Sequence, residues 1–165
     1  IIHFKGGAWC TSNPSLTREN AMIDDCYARS GSQLGSSNFS NPERLTLNVD
    51  EMLKGSSVAT WNNVQILYCD GGSYSGRNLT TKTVHGRTLY FRGRFINEAV
   101  VGTLREEFGL DVATDIVVSG SSAGALGAIY NVESYQNAAP RAFVVALPIG
   151  GFFLDGPLPF VQTYD

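Results

Sequence analysis

Four times along the 165 residues a short apolar run ends in glycine. Residues 1–5 enter Gly6-Gly7-Ala8-Trp9-Cys10, and residues 64–69 end at Asp70-Gly71-Gly72-Ser73. Residues 115–119 run into Gly120-Ser121-Ser122-Ala123-Gly124, and residues 142–147 lead to Gly150-Gly151. Runs this short, without the alternation of a half-exposed strand, read as strands buried on both faces, and glycine lets the backbone at their ends approach something closely. Helical spacing fills the intervals. Leu16, Ala21, Met22, Ile23 and Tyr27 predict a helix over 15–28 behind Pro14, and Phe95, Ala99, Val100, Leu104 and Phe108 predict a second that Gly109 closes. Small residues after Gly124 predict a third, reaching about Tyr135. Residues 31–41 read as loop, 49–53 as a helical turn, and 89–93 as a short strand or approach segment. Buried strands joined through helices require parallel pairing by crossover connections, so the expected fold is α/β. With no repeat or break in composition, residues 1–165 read as one domain. A strand opening at residue 1 makes it read as incomplete at both ends.

Composition narrows the partners. The longest purely apolar stretches, such as 143–147, fall far short of the roughly 20 residues that cross a bilayer. Twelve basic against fifteen acidic residues give a net charge of −3, so no basic footprint for nucleic acid or an anionic membrane is visible. Charged residues are only 16%, and the loops are built from Gly, Ser, Thr and Asn, a surface suited to an extracellular protein. Asn38-Phe39-Ser40 and Asn78-Leu79-Thr80 are acceptor sequons compatible with glycosylation. Ile1-Ile2-His3-Phe4 reads as strand interior rather than a charged leader, so any leader lies outside these residues.

Three cysteines, Cys10, Cys26 and Cys69, leave one unpaired if a disulfide forms. Cys10 and Cys26 flank a polar loop and a short helix that a bridge would pin in an oxidising compartment. Three reduced structural cysteines are the alternative. With no C-x-x-C and only two histidines, no zinc site is expected.

The chemistry-bearing motif is Val117-Val118-Ser119-Gly120-Ser121-Ser122-Ala123-Gly124-Ala125, a strand, then G-x-S-x-G, then a helix. Small neighbours permit a tight turn that lifts the Ser122 hydroxyl above the sheet edge, where a helix N-terminus favours negative charge. Ser122 is the predicted nucleophile, and the Ala123 amide would face the carbonyl oxygen of an attacked ester. Gly6-Gly7-Ala8, on the turn after the first strand, stands where a hydrolase of this kind supplies its second oxyanion donor. Read singly, the glycine pair is an ordinary strand-ending turn and Trp9 a core or rim aromatic.

Together these residues resemble the pectin acetylesterases and the Notum carboxylesterases of the α/β-hydrolase class. The resemblance rests on F-K-G-G-A-W-C at 4–10, Tyr68-Cys69-Asp70-Gly71, Leu89-Tyr90-Phe91-Arg92-Gly93, S-G-S-S-A-G-A at 119–125 and G-F-F-L-D at 151–155, in family order. It implies a secreted serine carboxylesterase without cofactor or metal, forming an acyl-enzyme on Ser122. Gly7, Ala8 and Ala123 would offer N–H groups to the oxyanion, Trp9 would line the acyl pocket, and Cys10 would bridge to Cys26. Plant-like members deacetylate pectin, an acetylated carbohydrate; animal Notum members remove a palmitoleoyl group from an acylated protein, Wnt. Residues 22–26 and 87–94 look more like the pectin side.

The sequence also departs from the family. Leu147-Pro148-Ile149-Gly150 stands where the family usually has an Asp followed by a small residue, and no His follows Ser122. The order for this fold is Ser, acid, His, so acid and base are expected beyond residue 165. His3 reads as a packed strand residue, His85 as a loop residue near the sheet edge, and Asp70 as a turn or capping residue. Asp155 and Asp165 have no His to orient. A noncatalytic hydrolase-like module that binds a glycan or acyl group is the reading from a different class.

Overall fold

A computed structural model describes residues 1–10, 19–39 and 54–153. Four parallel strands form one sheet in the order β2-β1-β5-β6, where β1 is Ile2–Phe4, β2 Val64–Ile66, β5 Asp115–Ser121 and β6 Phe143–Ile149. The three-residue β1 lies between two partners, with Ile2 opposite Val64 on one side and Val118 on the other. The expected α/β architecture is what forms. Helix α1 is Glu19–Arg29, α2 Gly93–Glu107 and α3 Ala123–Ala138.

The core explains why these segments adopt these forms. Ile2, Phe4, Ile66, Ile116 and Val118 from three strands are buried together with Tyr68, Tyr74, Leu104 and Tyr135. Phe4 meets Tyr74 edge-on with ring centroids 4.8 Å apart, a favourable aromatic geometry. Helix α3 is small-faced because it lies tight on the sheet, where a Cβ on Gly127 would come within 2.5 Å of the Tyr74 ring. Its contact with α2 is polar, since the buried Tyr135 hydroxyl donates to Asn97 Oδ1 at 2.8 Å. Helix α2 ends as its sequence predicts, with Gly109 in the left-handed region at φ 68°.

Several boundaries differ from the sequence reading. The first helix is described from Glu19, and residues 15–18 and the helical turn over 49–53 lie outside the described residues. Strand β2 stops at Ile66, short of Cys69, because the chain leaves the sheet to build a turn. Residues 82–89 form a small antiparallel hairpin, β3 Lys82–Val84 with β4 Arg87–Leu89, where no strand pair was expected. Its sequence is polar and mostly exposed, and the turn is marked only by His85 and Gly86, both at positive φ. Strand β6 is not buried on both faces, for Phe143 and Leu147 are exposed. The predicted loop after α1 also contains a single 3-10 turn, Ser37–Phe39.

Candidate active site

Ser122 is the only residue between β5 and α3, and its backbone holds φ 53° and ψ −123°. A non-glycine residue there is strained, at a cost of about 1–3 kcal/mol, and persists only where its surroundings over-determine it. Those surroundings are the two motif glycines. A side chain at Gly120 would run into the Gly124 carbonyl, and one at Gly124 into the Phe4 carbonyl at the end of β1. The Ser122 N–H donates to Ile149 O at 2.9 Å, which ties the elbow to the end of β6. The Ser122 side chain is exposed, and the buried Ala123 opens the helix behind it.

The turn after β1 arrives at the same place. A side chain at Gly6 would collide with the Ser121 carbonyl and stand 3.2 Å from Ser122 Cβ, so this backbone passes directly over the elbow. Ala8 is held at φ 54°, again left-handed and without glycine. Arg29 on α1 donates to Gly7 O at 2.5 Å, and the Tyr68 hydroxyl donates to Ala8 O at 2.7 Å. In a planar trans peptide the N–H of the next residue points opposite the carbonyl, so these bonds fix the orientation of the Ala8 and Trp9 amides. Among the described residues, neither the Ala8 nor the Ala123 amide is spent on another backbone carbonyl. Half-buried Trp9 donates from Nε1 to Ser73 Oγ at 2.7 Å and meets the Phe153 ring at 5.7 Å.

Tyr68, Ser73 and Arg29 carry much of this geometry, yet sequence reasoning assigned them no role. Tyr68 lay inside a motif used for the resemblance, while Ser73 and Arg29 left no local signal. The structure thus brings Gly7, Ala8, Trp9, Ser122 and Ala123 to one corner of the sheet.

Neither histidine joins them. His3 is buried with Nδ1 2.8 Å from Ser119 Oγ, its register partner, and Ser119 lies about 10 Å of strand below Ser122. Burial pushes its pKa down. His85 is at the hairpin tip, 2.9 Å from Asp24 Oδ1 and stacked edge-on against Tyr27. Asp70 caps the turn after β2, with Oδ2 accepting the Tyr74 N–H at 3.0 Å. Burial raises its pKa to about 6, opposed by the N–H groups of Gly72 and Tyr74. Cys10 and Cys26 form a disulfide with Cα atoms 4.7 Å apart, leaving Cys69 free and half-buried. A cavity of about 680 Å³ opens beside β2, lined by Arg29, Gln65, Asp70 and Arg87 among others, and Ser122 does not line it.

The family model described as Pectinacetylesterase matches residues 1–164. The chain belongs to the pectinacetylesterase family. Pectin acetylesterase 5 of Arabidopsis thaliana is 32% identical over 160 residues, covering 95% of this chain and 35% of that protein. Pectin acetylesterase 7 of the same plant is 32% identical over 162 residues, with 94% and 37% covered. The palmitoleoyl-protein carboxylesterase NOTUM of Schmidtea mediterranea is 26% identical over 166 residues, with 95% and 29% covered. Among solved structures, the Wnt deacylase Notum from Drosophila superposes with a TM-score of 0.64 at 19% identity, covering 99% of this chain and 48% of that one, a likeness of fold. This pectinacetylesterase-family chain therefore spans roughly a third of the length of the curated relatives it matches. No described helix is long and apolar enough to cross a membrane.

Proposed function

We propose that the protein is a secreted serine carboxylesterase that removes O-acetyl groups from a carbohydrate, with residues 1–165 forming the N-terminal part of one hydrolase domain. The observation that carries this reading is the junction of the Gly6 turn with the strained Ser122 elbow. Ser122 Oγ attacks the acetyl carbonyl carbon while its proton passes to an imidazole. The oxyanion receives N–H groups from Gly7, Ala8 and Ala123, and collapse expels the sugar oxygen, which leaves as the alcohol with that proton. Water then hydrolyses the acetyl-Ser122 ester and releases acetate. Trp9 and Phe153 form an aromatic wall on the acyl side.

The imidazole comes from outside residues 1–165, for His3 and His85 are engaged elsewhere. An acid from the same region orients it. Secretion accords with the Cys10–Cys26 disulfide, which persists in oxidising compartments. The test is hydrolysis of a short chromogenic acetyl ester by the intact protein beside Ser122→Ala. The reading expects at least a thousandfold loss, and equal turnover by the two overturns it. A series of acyl chain lengths separates acetyl specificity from the long-chain deacylation that the Notum relative's name describes.

A further inference from the structure

Among the described residues, five non-glycine positions have positive φ, namely Ala8, Ser73, Tyr74, His85 and Ser122. His85 belongs to a hairpin turn; Ala8 and Ser73 are joined through the Tyr68 hydroxyl, Tyr74 follows Ser73, and Ser122 precedes Ala123, whose carbonyl accepts from Ser73 Oγ. Two are consecutive, Ser73 at 55° and Tyr74 at 62°, in the turn that follows β2. That turn is the third strand end at the corner, beside those of β1 and β5. Backbone strain concentrated in this way is retained where the surrounding structure holds it for a purpose.

The bonds show what it holds. Tyr68 Oη accepts from the Ser73 N–H at 3.1 Å and donates to Ala8 O at 2.7 Å. Ser73 Oγ accepts from Trp9 Nε1 at 2.7 Å and donates to Ala123 O at 2.7 Å. Both hydroxyls belong to buried residues. A single serine therefore bridges the Trp9 side of the oxyanion turn to the residue after the elbow, and a single tyrosine fixes the carbonyl between Ala8 and Trp9. Asp70 Oδ2 closes the turn through the Tyr74 N–H, and the Tyr74 hydroxyl reaches back to Lys5 O at 2.8 Å on the far side of the glycines.

We propose that Tyr68 and Ser73 are positioning residues that set the distance and angle between the two oxyanion-donating segments, Gly7–Trp9 and Ala123. The proposal rests on the esterase reading above and assigns the strained turn after β2 to transition-state geometry. Neither side chain touches the reacting atoms. Their effect falls on kcat, because donors aimed at a tetrahedral oxyanion matter little to ground-state binding and misplacement by about 1 Å can cost about a hundredfold.

The experiment uses the intact protein with Ser73→Gly, Tyr68→Phe and Ser122→Ala. Glycine suits φ 55°, so Ser73→Gly removes the hydroxyl without forcing the backbone and keeps the test sound even if Tyr68→Phe folds poorly. Each variant is measured for kcat and KM on a short acetyl ester, for melting temperature, and for affinity toward an alkyl boronic acid, which forms a tetrahedral adduct with a reactive serine. Ser73→Gly is expected to stay folded, its melting temperature lowered by the two lost hydrogen bonds and partly restored by relief at φ 55°, while kcat falls tenfold to a hundredfold, KM stays within threefold, and boronate affinity falls in step with kcat. Unchanged kcat in Ser73→Gly and in folded Tyr68→Phe, with Ser122→Ala inactive, overturns the positioning role and leaves the esterase reading intact. A kcat loss matched by an equal loss of folded protein also overturns it. Full activity in Ser122→Ala overturns both.

Discussion

Gly6 and Ser122 stand so close that a Cβ on the glycine would lie 3.2 Å from the serine Cβ and inside the Ser121 carbonyl. Backbone cannot yield there as the end of a flexible side chain would. Gly6→Ala is therefore expected to shift the turn over Gly7 and Ala8, lowering stability by about 1–3 kcal/mol and, on the proposed mechanism, kcat at least tenfold. Steady-state kinetics and thermal melts of the purified variant check both.

The strain at Ser122 predicts different stabilities for two substitutions that both remove the hydroxyl. Ser122→Ala keeps a Cβ at φ 53°, whereas Ser122→Gly relieves it. On the proposed mechanism both are inactive, and the glycine variant is expected to be the more stable by about 1 kcal/mol. Denaturant titration of the pair measures the difference.

His3 is buried neutral against Ser119, with its pKa pushed below the ordinary value by burial. The unfolded chain then binds the extra proton first, so this contribution to stability is present above about pH 6.5 and is lost as pH falls through the lowered folded value. His3→Gln should abolish that acid-side loss, while its activity on acetyl esters stays far above that of Ser122→Ala. Melting temperature against pH, read beside turnover, tests structural and catalytic roles together.

Asp70 works in the other direction. Its folded pKa of about 6 lies above the ordinary carboxylate value, so protonation favours the fold below about pH 4 and that gain fades as pH rises through 6. Asp70→Asn retains an oxygen for the Tyr74 N–H without a buried charge. It is expected to match wild type near pH 4 and to exceed it above pH 7 by up to about 3 kcal/mol. Chemical denaturation at the two pH values is the check.

The Cys10–Cys26 bridge spans a sequence separation of 16, and closing such a loop in the unfolded chain is worth about 3 kcal/mol. The Cys10 N–H also donates to Gly71 O at 3.2 Å, so the bridged residue joins the Gly6–Trp9 turn to the turn after β2. Cys10→Ser with Cys26→Ser should lower the melting point and, more steeply, kcat.

What could be read from the chain alone follows from where the constraint lies. Gly120 and Gly124 were legible because close backbone approach admits no other residue, and the strand and helix around them carry strong apolar patterns. The hairpin from Lys82 to Leu89 was not, for its residues are polar and mostly exposed and tertiary contact with α1 decides their conformation. Tyr68 and Ser73 were hidden for a different reason. Their work is done by hydroxyls reaching across to Ala8 and Ala123, and no local spacing encodes such a reach. Strand β6 misled because an apolar run such as Phe143–Ile149 reads as buried whether or not the described residues cover it.

Strand β1 consists of three residues held between β2 and β5, and Ile2 finds its partners in Val64 and Val118 from later in the chain. Among the described strands, β1 therefore leaves the ribosome before both of its neighbours. Until the segment through Gly124 has emerged, β1 lacks its β5 partner and the turn over Gly6 lacks the elbow it lies against, and pairing this distant in sequence is slow. The Ser122 corner cannot close before residue 124 has emerged, and until then the residues that later bring the turn and the elbow together stay open to misassociation.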